Sequence, residues 1–156
     1  MTEKITIYCD MDGVLANFNI EPNALERFKK ERGFFKNLIP MYYNVIGLKR
    51  LHDMGYRIKI LTTSPHRRAD KDKLKWLKKH IPYIDKKDVI FGRPNIPKIS
   101  YIENEQYSVL IDDWGRNISE WLAGGGLHAI KITPTPRLIE KEYTSILMFT
   151  NYLKGL

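Results

Sequence analysis

Two short β-rich runs in this chain end abruptly in acids: Ile5–Cys9 leads into Asp10-Met11-Asp12-Gly13, and Val109–Ile111 leads into Asp112-Asp113. Apolar runs this short, closed by turn residues, read as buried strands. Tyr56–Leu61 is a further strand, followed by Thr62-Thr63-Ser64-Pro65, and Val89–Phe91 and Ala129–Ile132 complete the set. Helical patterns lie between them. Glu21–Arg32 places Leu25 and Phe28 on one face and stops at Gly33; Pro40 opens a second helix that carries Val45, Leu48 and Leu51 to Gly55. A third helix runs through Leu74, Trp76 and Leu77, and a fourth through Ile118 and Leu122 to Gly124-Gly125-Gly126. After Pro134 and Pro136, a last helix is predicted to align Leu138, Ile139, Tyr143, Ile146 and Leu147.

Strands alternating with helices predict an α/β fold whose central parallel sheet is covered on both faces. In such sheets ligands bind beyond the carboxyl ends of the strands. The polar clusters follow strands one, two and four at those ends, which predicts that they share a site.

With 156 residues, no internal repeat and no low-complexity linker, the chain fits one domain. The apolar share of 43% excludes a disordered chain, and no run approaches a membrane span. Cys9 is the single cysteine, which rules out an internal disulfide framework and a cysteine-rich zinc site. Met1–Lys4 leads straight into a strand, not a signal-peptide core, and a cytoplasmic location is expected. Lys and Arg number 26 against 18 acids, so the net charge is +8 and an anionic partner is favoured.

The Asp10/Asp12 pair can supply oxygen ligands for a hard cation such as Mg²⁺, with one carboxylate as nucleophile and the other as proton donor and acceptor. A solvated turn would use the same residues. Asp112-Asp113 shifts the balance, because adjacent acids after an apolar run repel each other unless a cation or hydrogen-bond donors offset them. Thr62-Thr63-Ser64 offers hydroxyls and helix-opening N–H groups to a phosphate oxygen, or a plain N-cap. Cys9 should face away from Asp10 and pack in the core; His52, His80 and His128 have no metal-ligand spacing, whereas His66 follows the Thr-Ser-Pro loop and could meet substrate.

Asp10-Met11-Asp12-Gly13-Val14, Thr63-Ser64, Lys98 and Asp112-Asp113, in this order, resemble the haloacid dehalogenase superfamily of phosphohydrolases over nearly the whole chain. More narrowly, Asp10 to Phe18, Thr63-Ser64-Pro65 and Leu110-Ile111-Asp112-Asp113 look like the 5′(3′)-deoxyribonucleotidases. The resemblance implies a three-layer Rossmann-like fold, here a single domain over 1–156 with a reduced helical cap at about 19–40. It implies Mg²⁺-dependent hydrolysis of deoxyribonucleoside monophosphates through an aspartyl-phosphate. Asp10 would be the nucleophile and Asp12 the general acid and base. Thr63, Ser64 and Lys98 would bind the phosphate. Mg²⁺ would be held by the Asp10 carboxylate, the Asp12 backbone carbonyl and Asp113, with Asp112 in support. Phe18, Phe34 and Phe35 are candidates to stack on the base, although core packing suits Phe34 and Phe35 equally. His66 and Arg67 are further candidates for substrate contact. Two departures stand out: the segment between Asp12 and Thr63 is short for the animal enzymes, and Arg93 to Lys98 lacks a compact Arg-x-Lys, so Arg93 competes with Lys98 as the motif cation.

The expected partner is a small nucleotide, with no membrane and no stable nucleic-acid complex; a homodimer is compatible with the sequence. Other readings are a polynucleotide 3′-phosphatase, a phosphatase for another small phosphomonoester, and a non-catalytic nucleic-acid-binding module. Nine of the 26 basic residues fall within His66–Asp88. Most of these, Lys71, Lys73, Lys75, Lys78 and Lys79 among them, read as a solvated helix face, with only His66, Arg67 and Arg68 placed to meet substrate.

Overall fold

Strand alternation sends neighbouring residues of one strand to opposite faces of a sheet. In a computed structural model of the chain, which describes residues 4–134 and 142–154, β1 (Thr6–Cys9) does this with every side chain buried. Ile7 and Cys9 join one core, and Tyr8 joins another. With β2 (Arg57–Thr63), β3 (Val89–Gly92), β4 (Ser108–Asp112), β5 (His128–Ile132) and β6 (Glu142–Tyr143) it forms a parallel sheet in the order β3-β2-β1-β4-β5-β6. The chain winds outward from β1 to β3, then starts again at β4 on the other side of β1. The order therefore reverses between β1 and β4, where doubly wound sheets open a crevice at their carboxyl ends.

Helices cover both faces. The larger core gathers Leu48 and Leu51 of α2 (Tyr42–Asp53), Trp76 and Leu77 of α3 (Arg67–His80), and Ile146 of α5 (Ile146–Lys154) over Ile58, Ile60, Ile111 and Ile130. On the opposite face, Trp121 of α4 (Gly115–Ala123) packs with Tyr8, Leu61 and Leu110. Asn44 ties the larger core together: its amide donates to the Val14 carbonyl at 2.5 Å and its side-chain oxygen accepts from the Ile146 N–H at 2.8 Å.

Residues 17–40 form an excursion from the end of β1, closed at its base by a β-bridge between Ala16 and Pro40. It contains α1 (Ala24–Lys30) and two short 3-10 turns, at Phe18–Ile20 and Phe35–Asn37. It rests on α3, where the Trp76 indole N–H donates to the Leu38 carbonyl at 2.8 Å and the Gly33 N–H donates to Asp72 at 3.1 Å. The structure departs from the sequence expectation at three places. The first helix spans only Ala24–Lys30, and its buried contacts come from Ala24 and Phe28, while Leu25 is 72% exposed. Pro40 precedes α2 and serves the bridge, because the Ala16 pairing needs it extended. Tyr143 belongs to β6 and not to the last helix, which starts at Ile146; Leu138 and Ile139 lie outside the described residues. No helix among the described residues is long and apolar enough to cross a membrane.

Candidate active site

Asp10 leaves β1 beside Asp112, the last residue of β4, because the register pairs Cys9 with Ile111 and the Asp10 N–H donates to the Ile111 carbonyl at 2.9 Å. The loop that follows turns tightly: the Met11 carbonyl accepts from Leu15 and Ala16 at 2.8 and 2.9 Å, and Gly13 adopts φ +82°. A Cβ on Gly13 would lie 2.1 Å from Asp113 Oδ2, so glycine is required both by conformation and by the approach of this carboxylate. Gly13→Ala is expected to displace the Asp113 carboxylate, a candidate cation ligand, and so to weaken Mg²⁺ binding by about 10–100-fold in an isothermal titration.

Asp10, Asp112 and Asp113 bring one carboxylate oxygen each to within 4.8 Å of one another. Lys98, in the turn after β3 and only 3% exposed, sits among them: its Nζ is 2.9 Å from Asp10 Oδ1 and 2.7 Å from Asp112 Oδ2. Asp112 also accepts from the Trp114 N–H and the Asn117 amide, both at 3.0 Å. Burial, then the charge of Asp112, pushes the Asp10 carboxyl well above the usual range and Asp113 up to about 6. Burial alone would lower Lys98, but the charges of Asp10 and Asp112 outweigh it and hold the ammonium protonated. Three carboxylates against one ammonium leave two formal negative charges among largely buried groups. That surplus and an all-oxygen donor set fit a hard divalent cation such as Mg²⁺.

Asp12 is held from another direction. Lys73 of α3, with no solvent exposure, donates to Asp12 Oδ2 at 2.6 Å, to Thr62 Oγ1 at 2.8 Å and to the Thr63 carbonyl at 2.8 Å. The same ammonium lies 4.5 Å from the Phe35 ring centroid. Asp12 Oδ1 is left without a hydrogen bond. Lys73 thus leaves the solvated face to which the sequence assigned it. Its spacing of three from Asp70 and from Trp76 places it on the inward side of α3, a periodic signal masked by the lysines around it.

These groups converge on a cavity of about 320 Å³ lined by Asp10, Asp12, Thr63, Lys98 and Asp113, together with Arg93, Ile96, Trp114 and Arg116. Arg93 lines it too, but its guanidinium makes a bidentate pair with Asp70 at 3.0 and 2.7 Å, away from the acidic trio where Lys98 sits. Partial burial works against the Asp70 carboxylate, yet the hydrogen bonds from Arg93 and Ser64 prevail and keep its pKa below the usual range. Ser64, expected to bind phosphate, is fully buried and outside the cavity wall, its N–H donating to the Gly92 carbonyl at 2.9 Å and its hydroxyl to the His66 carbonyl at 3.4 Å. His66 caps α3, its Nδ1 accepting from the Ala69 N–H at 3.1 Å, and Arg67 is exposed on the first turn.

Phe18, Phe34 and Phe35 do not line the cavity. Phe34 and Phe35 are each 3% exposed, and the three rings pack on one another at centroid distances of 5.2–6.4 Å, joined by Phe28. Phe34 and Phe35 thus take the core-packing role, one of the two that the sequence allows them. Cys9 is fully buried in the larger core, where burial raises its thiol pKa well above the ordinary value.

Residues 20–143 match the model of the family described as 5′ nucleotidase, deoxy (pyrimidine), cytosolic type C protein. The matched span begins after Asp10 and Asp12 and takes in Thr63, Lys98, Asp112 and Asp113. Comparison with curated protein sequences finds no match. Among solved structures, the chain is similar to D,D-heptose 1,7-bisphosphate phosphatase from Burkholderia thailandensis, with 10% identity, TM-score 0.65, and coverage of 98% of this chain and 100% of that one. It is also similar to a putative beta-phosphoglucomutase from Thermotoga maritima (14% identity, TM-score 0.66, coverage of 97% and 99%). A third likeness is to the Pnkp1/Rnl/Hen1 complex (16% identity, TM-score 0.58), covering 85% of this chain and 47% of that one. The chain therefore belongs to the cytosolic type C 5′(deoxy)nucleotidase family, within the haloacid dehalogenase superfamily of phosphohydrolases.

Proposed function

We propose that the protein is a Mg²⁺-dependent phosphomonoesterase that hydrolyses deoxyribonucleoside monophosphates to nucleoside and phosphate through an aspartyl-phosphate, and that it works in the cytoplasm. The observation that carries this reading is the division of labour between two buried lysines: Lys98 is bonded to Asp10 and Asp112, and Lys73 to Asp12. Two carboxylates two residues apart are thereby held in different electrostatic settings, as a nucleophile and a proton-transfer group require.

In this mechanism Asp10 attacks phosphorus, and the scissile P–O bond breaks toward the sugar oxygen. Asp12, anchored through Oδ2 and unengaged at Oδ1, protonates that oxygen and later takes a proton from the water that cleaves the acyl phosphate. Lys98 offsets charge on Asp10 and the phosphoryl oxygens, with Thr63, which lines the cavity, as a further phosphate contact. Mg²⁺, with Asp10, the Asp12 backbone carbonyl and Asp113 as ligands and Asp112 in support, would supply further charge neutralisation on the phosphoryl group. Residues 19–40 serve as the reduced helical cap of a single domain.

A phosphate-release panel of ribo- and deoxyribonucleoside 5′- and 3′-monophosphates against sugar phosphates, with Mg²⁺ and with chelator, tests the proposal. Release confined to nucleotides and abolished by chelator supports it; preference for sugar phosphates rejects it. A polynucleotide 3′-phosphatase is the second reading, favoured by the absence of any residue of 17–40 from the cavity wall, which leaves that side open to a larger ester. A 3′-phosphorylated oligonucleotide turned over faster than every mononucleotide would select it.

The acidic trio makes a further demand. Since Asp10 and Asp113 are raised, their contribution to stability is present below the ordinary carboxylate pKa and lost as pH rises through the shifted values. In chelator, the thermal midpoint is expected to fall between about pH 4 and pH 6 on account of Asp113, with the raised Asp10 adding to the fall. At pH 7, Mg²⁺ at about 100 times its Kd is expected to raise the midpoint by about 5–10 °C. Calorimetry across this range checks both signs.

A further inference from the structure

We propose that Trp114 is the platform on which the aromatic base of the substrate stacks, so that preference for a nucleotide is carried by the turn after β4 and not by the phenylalanines of residues 17–40. The inference rests on the nucleotide phosphomonoesterase reading above. The phenylalanine rings are occupied with one another and lie outside the cavity wall. Apart from the acids, Thr63 and Lys98, that wall carries one aromatic residue, Trp114, with Pro94 and Ile96 as its other large apolar groups.

Three features suit Trp114 to the task. Its side chain leaves the residue 56% exposed, whereas Trp76 and Trp121 are completely buried. An exposed indole in a concave site gains from being covered by a flat apolar group. Its backbone is fixed to the reactive end of the cavity, since its N–H donates to Asp112 Oδ1 at 3.0 Å and it directly follows Asp113. Arg116, itself steadied by Glu120 at 2.9 Å, sets its guanidinium 5.7 Å from the indole centroid, adding a planar cation beside the ring. A volume of about 320 Å³ is at the lower end of the range for small-ligand sites and suits one nucleoside monophosphate. Stacking on a single ring accepts any base, so tolerance of base identity is expected.

The burial of the other two tryptophans makes the test selective. Titration of the Asp10→Asn protein with deoxyribonucleoside monophosphates should quench the exposed tryptophan's emission, whereas inorganic phosphate and glycerol 3-phosphate should not. In the otherwise wild-type enzyme, Trp114→Ala should lower the ratio of kcat/KM for a nucleotide to kcat/KM for glycerol 3-phosphate by about tenfold, mainly through KM, and Trp114→Phe should restore most of it. An unchanged ratio in Trp114→Ala, or a loss that Phe does not rescue, overturns the platform even if nucleotides are good substrates. Failure of the wild-type enzyme to hydrolyse any nucleotide overturns the nucleotidase reading instead, and absence of nucleotide-specific quenching in that case overturns the platform as well.

Discussion

Asp10→Asn is expected to lower phosphate release by about 10⁴-fold or more while leaving the protein folded. The chemical part follows from nucleophilicity, because an amide oxygen in place of the carboxylate cannot form the acyl phosphate. The folding part follows from the surroundings. Asp10 is 7% exposed and its carboxyl is raised by burial and by Asp112, so its charged form is disfavoured without a bound cation. Asparagine keeps the shape, removes that charge, and leaves Lys98 its bond to Asp112 at 2.7 Å. The thermal midpoint in chelator should therefore stay level or rise while turnover disappears. Near-wild-type release of phosphate by the folded variant rejects Asp10 as nucleophile. A collapse in stability of the chelated protein rejects the account of its burial.

What a sequence reveals of such a site depends on the range over which each signal acts. The strands that position the site were readable because short apolar runs closed by acids carry their own boundaries. The placement of Asp10 beside Asp112 followed from the general rule for parallel sheets. β6 was hidden because two residues, Glu142 and Tyr143, are too few to show periodicity. Leu25 was misplaced because the first helix is seven residues long and enters from a left-handed Asn23, which sets its face by a backbone turn that no apolar pattern records. Phe34 and Phe35 look the same in sequence whether they face a ligand or one another; only the packing of four rings decides. Lys98 and Lys73 show the same limit from the polar side. Lys73 lies in a lysine-rich helix and Lys98 between Pro97 and Ile99, and each is buried beside an acid that the local sequence does not reveal: Asp112 is 14 residues from Lys98, and Asp12 is 61 from Lys73.

Lys73→Met is expected to damage both fold and chemistry, in a pattern that reveals its role. The substitution fills most of the volume but leaves Asp12 Oδ2, Thr62 Oγ1 and the Thr63 carbonyl without their shared donor. Losing one partner of a buried ion pair costs about 3–5 kcal/mol, and the lower figure applies here because the Asp12 side chain remains 22% exposed and can recruit water. A loss of about 3 kcal/mol corresponds to a midpoint lowered by about 6–12 °C in a chain of this size. On turnover, an Asp12 free to rotate protonates the leaving oxygen less often, and kcat/KM for a nucleotide should fall by about 10²-fold. An aryl phosphate with an electron-poor phenol needs little help from a proton donor, so its kcat/KM, which reports the phosphoryl transfer to Asp10, should fall far less. Equal losses on the two substrates would mean that Lys73 only supports the fold. A larger loss on the nucleotide means that Lys73 acts through Asp12, and that this lysine of α3 helps to set which of the two aspartates gives up the proton.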